Sequence, residues 1–417
     1  GEIRKALATH PWPDMARRVL ERWWRKDGLA EDEPFEPTPM PTVPLTPEHT
    51  DLLVTAAYCE VTLAREGHNG PIGINLLEKV QLPTLPILLG AMLAGVSAVL
   101  MGGGLPMAIP GVLDGLARGE PVELRIDCAG LGEHETICQT LDPQALADAS
   151  LPELVRPVFL GIVSTEAVAR ALLRRANGTV DGFVVEHYQA GGHNAPPRHA
   201  AQANRSEPSY GPRDEPDLAA LRALERPFWL AGGMGSPQAL QQALEAGARG
   251  VQVGTAFTAC EESGFTPAIK AALTEQARAG TLRVRTDFRA SPTGYPFKVS
   301  NVPEPEGQAC EGTRRRLCDL GHLRTVVLRR DGRIGYRCPA GLESAWLAAG
   351  GSPEELEGRC CLCNSLLAAI DLGQRRGTYV EPPIVTLGED WSPLRALASR
   401  LGREYRASDV VTYLLGA

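Results

Sequence analysis

"WLAGGMGSPQALQQALEAGARGVQVGTAF", residues 229–257, opens on an apolar run, breaks into glycines, resumes at helical spacing, and closes on a second β-branched run that again ends in glycine. Ser236 is suited to cap a helix and Pro237 to sit in its first turn, while Leu240, Ala243, Leu244 and Gly247 fall on one helical face. The stretch predicts strand, helix, strand, with a glycine loop after each strand. Glycine lets backbone N–H groups come close to an anion, and a helix N-terminus adds partial positive charge. Two such loops together predict a phosphate clamp, in the place where (β/α)8 barrels commonly bind phosphate after their last two strands. No GxxxxGK[ST] occurs, and "GGGLP" at 102–106 does not continue as GxGxxG, so neither a nucleotide hydrolase nor a doubly wound dinucleotide site is supported.

The same rhythm extends upstream. Strands are expected at 71–77, 97–104, 121–127, 157–164, 182–187, 227–233 and 250–257, alternating with helix-period segments such as 165–176 and 236–248. Near-continuous apolar strands followed by amphipathic helices imply parallel strands buried on both faces, hence an α/β fold. Polar and glycine residues gather at the carboxyl ends of several successive strands. That is the habit of a TIM-type barrel, whereas a doubly wound sheet gathers its site at one switch point. Three regions follow: a helix and proline-rich segment over 1–50, the barrel over 51–300, and an extension over 301–417 that holds six of the ten cysteines and ends in a helix pair.

Composition narrows the class further. The chain has 417 residues, 43% hydrophobic and 22% charged, enough for one large core with an appendage. A net charge of −8 argues against nucleic acid or an anionic membrane as the main partner, and the one dense basic run, "RRR" at 314–316, reads as solvated surface. No stretch reaches the ~18 apolar residues of a membrane span, and "GEIRKALATHPWP" lacks the apolar core of a secretion signal, so a cytoplasmic setting is expected.

"CCLC" at 360–363 crowds three thiols too closely for separate disulfides, which favours reduced thiols or a metal. Cys318, Cys338, Cys361 and Cys363 are the candidate ligands of a four-cysteine site for zinc or an iron–sulfur cluster, with Cys310 and Cys360 in reserve. The CxxC knuckles of common zinc ribbons are absent, so plain buried thiols stay open as the other reading. Cys59, Cys128, Cys138 and Cys260 lie in or beside apolar elements and are read as core.

"EHYQAGGHNAPPRH", residues 186–199, follows the apolar strand "GFVV". Gly191 and Gly192 allow a tight turn at the strand end that aims His193 across the barrel mouth. His187 reads as a structural strand-end residue, and Glu186 as a group that orients one of the two imidazoles. Taken alone, a loop histidine has no special consequence.

"EHYQAGGHNAP", the 229–257 stretch, and "GINLLEKVQLPTLPILLGAMLAGVSAVLMGGGLP" at 73–106 occur in order and together resemble the nitronate monooxygenase family, also called 2-nitropropane dioxygenase-like proteins. The resemblance spans roughly residues 70–300. It is similar in particular to a longer actinobacterial-type subgroup, in which "TDFRASPTGYPFKV" at 286–299 and the cysteine-bearing tail have counterparts. It implies a barrel holding FMN. Gly232, Gly233 and Gly235 with Ser236, then Gln252, Gly254 and Thr255, match the FMN-phosphate segments; Gly192 matches a position beside the flavin, and Asn75 one near its ring. His193 matches the family's catalytic histidine, able to take a proton from a nitroalkane carbon or to steady a developing oxyanion near neutral pH. The family's first strand, with its "QGGMG"-like loop, has no counterpart before "GEIRKALATHPWP", so a barrel without its first strand is expected.

The activity implied is FMN-dependent oxidation of a nitronate or related small substrate with O2. Two alternatives stand beside it. One is an FMN-dependent reductase that uses NAD(P)H on an enoyl thioester of an acyl carrier protein or coenzyme A. The other is a non-catalytic barrel that binds a partner through its cysteine tail.

Overall fold

A computed structural model describes residues 1–30, 33–198, 210–302, 314–401 and 405–416. The chain divides into two compact units. The first comprises Gly1–Gly161, Arg170–Gly182 and Asp319–Arg337, and the second Ile162–Ala169, Phe183–Cys318 and Cys338–Ala417.

In the first unit, helices Glu2–Ala8, Pro13–Trp23 and Pro47–Ala64 pack around Ala6, Leu7, Ala16, Tyr58 and Cys59. The third begins at Thr46, whose side chain accepts from the His49 N–H at 3.2 Å, and carries proline in its first turn where no donor is lost. Strand Gly73–Leu77 pairs in parallel with Ala98–Gly102, and the latter pairs in parallel with Val158–Gly161. Helix Thr84–Leu93 lies between the first two strands in sequence and is buried over almost its whole length, as its apolar run "TLPILLGAML" requires. Arg156 fixes the entry to the third strand by donating to Asp114 at 2.5 Å and Asp181 at 2.7 Å.

One expected barrel strand is something else. Val122–Ile126 pairs antiparallel with Ile137–Leu141 and does not join the parallel set. Its residues alternate between buried and exposed, V-E-L-R-I, the mark of a half-solvated antiparallel strand, whereas parallel strands are apolar on both faces.

In the second unit the parallel strands are Gly182–Glu186, Phe228–Ala231 and Gly250–Gln252. Phe183 to Glu186 stand opposite Phe228 to Ala231, and Trp229 to Ala231 opposite Gly250 to Gln252. Helix Pro237–Glu245 links the last two, capped by Ser236 through the Ala239 N–H at 3.2 Å. The terminal helices Ser392–Leu401 and Ala407–Leu414 are part of this unit's core: Leu394, Leu397, Tyr405 and Val410 are buried with Ile269, Leu273 and Val385.

One expectation about the tail is corrected in part, and another finds no support. Within the "RRR" run only Arg315 is exposed. Arg314 is almost wholly buried and ion-paired with buried Glu381, and its guanidinium also donates to Ser365 Oγ and the Pro382 carbonyl, each at 2.7 Å. A buried pair broken on one side leaves an uncompensated charge. Arg314→Met should therefore lower stability by about 3–5 kcal/mol in chemical denaturation. A loss below ~1 kcal/mol would mean that Glu381 finds solvent.

The four-cysteine metal site finds no support. The four thiols are neighbours: Cys338 lies in the field of Cys318 and Cys361, burial pushes its thiol up to about 12, and a hydrogen bond with Cys363 lowers that of Cys361. Yet among the described residues no three His, Cys, Asp or Glu side chains are disposed to hold one ion. Proximity is not enough, because zinc requires all its sulfurs at ~2.3 Å from a common point. Cys360, a reserve ligand, is disulfide-bonded and so offers no thiolate, and Cys310 lies outside the described residues. Cys59 and Cys260 are buried as expected, while Cys128 and Cys138 are half-buried. No described helix is long and apolar enough to cross a membrane.

Candidate active site

Glu186, Ala231 and Gln252 are consecutive rungs at the carboxyl ends of the second unit's three parallel strands. Past them the chain breaks into loops that surround a cavity of about 360 Å³. Of the expected residues, Gly192, Gly232, Gly233, Gly235, Gln252, Gly254 and Thr255 all line it. Ser236 stands one step back as the helix cap. Asn75 lies on the Gly73–Leu77 strand of the first unit, opposite Leu100.

The glycines have separate reasons. Gly232 has φ +87°, and a Cβ there would come within 2.9 Å of the Ala190 nitrogen and the His187 carbonyl. At Gly254 a Cβ would meet no atom within 4 Å, so that position opens into free space. The N–H groups of Gly233, Met234, Gly235 and Gly254 donate to no protein acceptor among the described residues. Buried N–H groups are rarely left unpaired, so donors around a cavity at a helix N-terminus fit an anion such as a phosphate. Among the described residues no Lys, Arg or His side chain lines the cavity; its two ionisable residues are Glu186 and Asp390.

The tail contributes one wall. Thr386 accepts from the Gly192 N–H at 2.8 Å, the Gly388 N–H donates to Thr255 Oγ1 at 2.9 Å, and the Glu389 N–H donates to the Gln189 carbonyl at 2.9 Å. Gly191 is needed for this approach, because a Cβ on it would lie 2.9 Å from the Leu387 backbone carbon. Asp390 accepts from Ser392 N–H at 3.0 Å and Oγ at 2.6 Å. None of these tail residues is marked in the sequence as a site. The Asp-x-Ser-Pro helix start is legible, but its docking on the glycine loops is not.

His193 is held more firmly than a free loop side chain. Its Nε2 is 2.7 Å from Ser291 Oγ, which is 2.8 Å from Thr293 Oγ1, and its ring packs edge-on against Phe297 at 4.8 Å. Ser291 and Thr293 occupy the turn of an antiparallel hairpin, Val284–Asp287 with Phe297–Ser300. That hairpin docks on the histidine loop through Lys298 N–H to the Gly192 carbonyl and Asn194 N–H to the Pro296 carbonyl, both 2.9 Å. Burial lowers the His193 pKa to about 4, so the ring is neutral at neutral pH. Lys298, also buried, is paired with Glu389 and donates to Thr286. Ser291, Thr293 and Lys298 all fall within "TDFRASPTGYPFKV", where the Ser-Pro-Thr-Gly turn is the available signal.

Glu186 does not orient either imidazole. Its side chain makes no hydrogen bond to them, and His187 instead places Nε2 3.0 Å from the Glu215 carboxylate. Asn194, next in the loop, is buried and donates to the Ala190 carbonyl at 2.9 Å, closing the turn.

Parallel strands in chain order alternating with helices, with a cavity at the carboxyl ends of the second unit's three strands, define an α/β protein of the TIM-barrel class. Residues 147–293, which include both glycine loops and His193, match the model of the nitronate monooxygenase family. Similar relatives include the "Probable nitronate monooxygenase" of Bacillus subtilis, 37% identical over 123 residues, covering 30% of this chain and 33% of the relative. A nitronate monooxygenase of Pseudomonas aeruginosa is 33% identical over 138 residues, covering 33% of this chain and 38% of the relative. The chain thus spans little more than a third of the length of these relatives. Among solved structures it is similar to FabK from Thermotoga maritima, at 16% identity and TM-score 0.46 over 89% of this chain and 81% of that one. It is also similar to nitroalkane oxidase from Streptomyces ansochromogenes, at 19% identity and TM-score 0.45 over 87% and 84% of the two chains.

Proposed function

We propose that the protein is an FMN-dependent oxidoreductase of the nitronate monooxygenase type, oxidising a nitronate or related small substrate with O2. The observation that carries this reading is the set of unpartnered N–H groups at Gly233, Met234, Gly235 and Gly254 around one cavity within the family-matched segment. They fit the phosphate of FMN, with Gly192, Gly232, Ser236, Gln252 and Thr255 completing the holding residues. FMN, when bound, supplies the electron-accepting ring and its reactivity with O2.

The chain's own residues set the rest of the chemistry. A histidine whose pKa burial has lowered to about 4 is a weak base but a good neutral donor. It suits a substrate that arrives already ionised: an N–H of the ring can hold a nitronate oxygen without first removing a carbon-bound proton. Ser291 and Thr293 fix the ring, and Lys298 fixes the loop through the Gly192 carbonyl.

The test is aerobic turnover of purified, flavin-loaded protein. O2 uptake with a nitronate and no nicotinamide is the expected result. Bleaching of the flavin by NADPH or NADH, with no nitronate turnover, would overturn the proposal in favour of a reductase.

A further inference from the structure

Glu186 is the last residue of its strand, lines the cavity, and makes no side-chain hydrogen bond with any described protein group. A carboxyl in that position has one direction in which to find a partner, into the cavity. We propose that Glu186 binds the cofactor in its protonated form, as a neutral hydrogen-bond donor, so that flavin binding is coupled to the uptake of a proton. The inference rests on the cavity being a flavin site.

The surroundings explain why the acid form is the one that works. No cationic side chain lines the cavity among the described residues. Ala231, opposite Glu186 on the neighbouring strand, is apolar. His187 turns to Glu215, Lys298 is paired with Glu389, and His193 is neutral. Asp390, the other carboxyl of the cavity, is compensated by Ser392 at the start of its helix. A carboxylate at 186 would therefore have no counter-charge and would face the phosphate-bearing ligand with like charge. Protonated, the group avoids that repulsion and gains an O–H donor. Burial acts in the same sense, pushing its pKa up to about 8.

The experiment is FMN binding to apoprotein between pH 7 and 9, by flavin fluorescence quenching, in the wild type and in Glu186→Gln. The second pKa of a phosphate monoester is ~6, so the ligand's phosphate charge is constant across this range. Wild-type affinity should fall about tenfold from pH 7 to pH 9, since each unit above the pKa removes a factor of ten of the acid form. Glu186→Gln, which keeps a donor that cannot ionise, should bind equally at both. Calorimetry at pH 9 in two buffers of different ionisation enthalpy should show close to one proton taken up by the wild type and none by the variant.

Thermal melting of the apoproteins is the control on folding. A carboxyl whose native pKa is raised holds a proton that the unfolded chain has already lost above about 4.5, so native stability falls as pH rises from there toward 8. Glu186→Gln should lack that fall. The same pH dependence of binding in both proteins would overturn the role of Glu186 and leave the cofactor reading intact. No FMN binding by the wild type at any pH would overturn the cofactor reading and this inference together.

Discussion

Gly254→Val should give a folded protein that purifies without flavin. Most substitutions that fill a binding site also disturb packing, but here the added Cβ meets no protein atom within 4 Å, and φ is −122°, in the range open to any residue. The new side chain would project into the space around the unpartnered N–H groups. Overpacking costs of ~1–3 kcal/mol, met only when the ligand enters, correspond to about 5- to 150-fold weaker binding. The expected outcome is flavin lost on gel filtration, with a melting temperature of the apoprotein unchanged from wild type. Full flavin content after purification would show that the phosphate lies elsewhere.

The second large effect is expected at His193. His193→Ala should keep flavin, because its ring is not among the groups that line the cavity, yet lose turnover. With a neutral nitroalkane as substrate, a loss of ~10²–10⁴-fold would mark His193 as the group that takes the carbon-bound proton, a role its weak basicity argues against. With a preformed nitronate only a hydrogen bond to a charged group is lost, ~1.5–3 kcal/mol, or about 10- to 150-fold. The comparison of kcat/KM on the two substrates separates proton abstraction from anion holding. Equal losses on both would mean that abstraction contributes nothing. Wild-type rates on both would reduce His193 to a side chain packed on Phe297.

Much of the second unit is legible because its local signals agree with one another. Ser236, Pro237 and the glycines on either side mark strand end, helix cap and strand end without tertiary information, and the structure forms those elements within a few residues of the expected bounds. The first unit reads less well where a strand of the right length carries the wrong period. "PVELRID" falls among the barrel strands by its position in the rhythm, although Glu123 and Arg125 interrupt its apolar face. Burial of charge is not legible at all. "RRR" looks the same in sequence whether its guanidinium groups meet water or Glu381, 67 residues later. The same holds for the cysteines, whose spacing defines candidates but not a common centre. His193 illustrates the middle case: its loop is visible, but Ser291 and Phe297, about a hundred residues away, decide its protonation and orientation.

The hydrogen bond between Gly192 and Thr386 joins residues 194 positions apart. At the ~5–20 residues per second of protein synthesis, roughly 10–40 s separate the appearance of Gly192 from that of Thr386. During that interval the loops exist without Thr386, Gly388 and Glu389, and with the N–H of Gly192 and the carbonyl of Gln189 still open to water. The wall of the cavity is therefore closed only after Glu389 has been made, and until then the nascent polypeptide carries its glycine loops as an unfinished shelf.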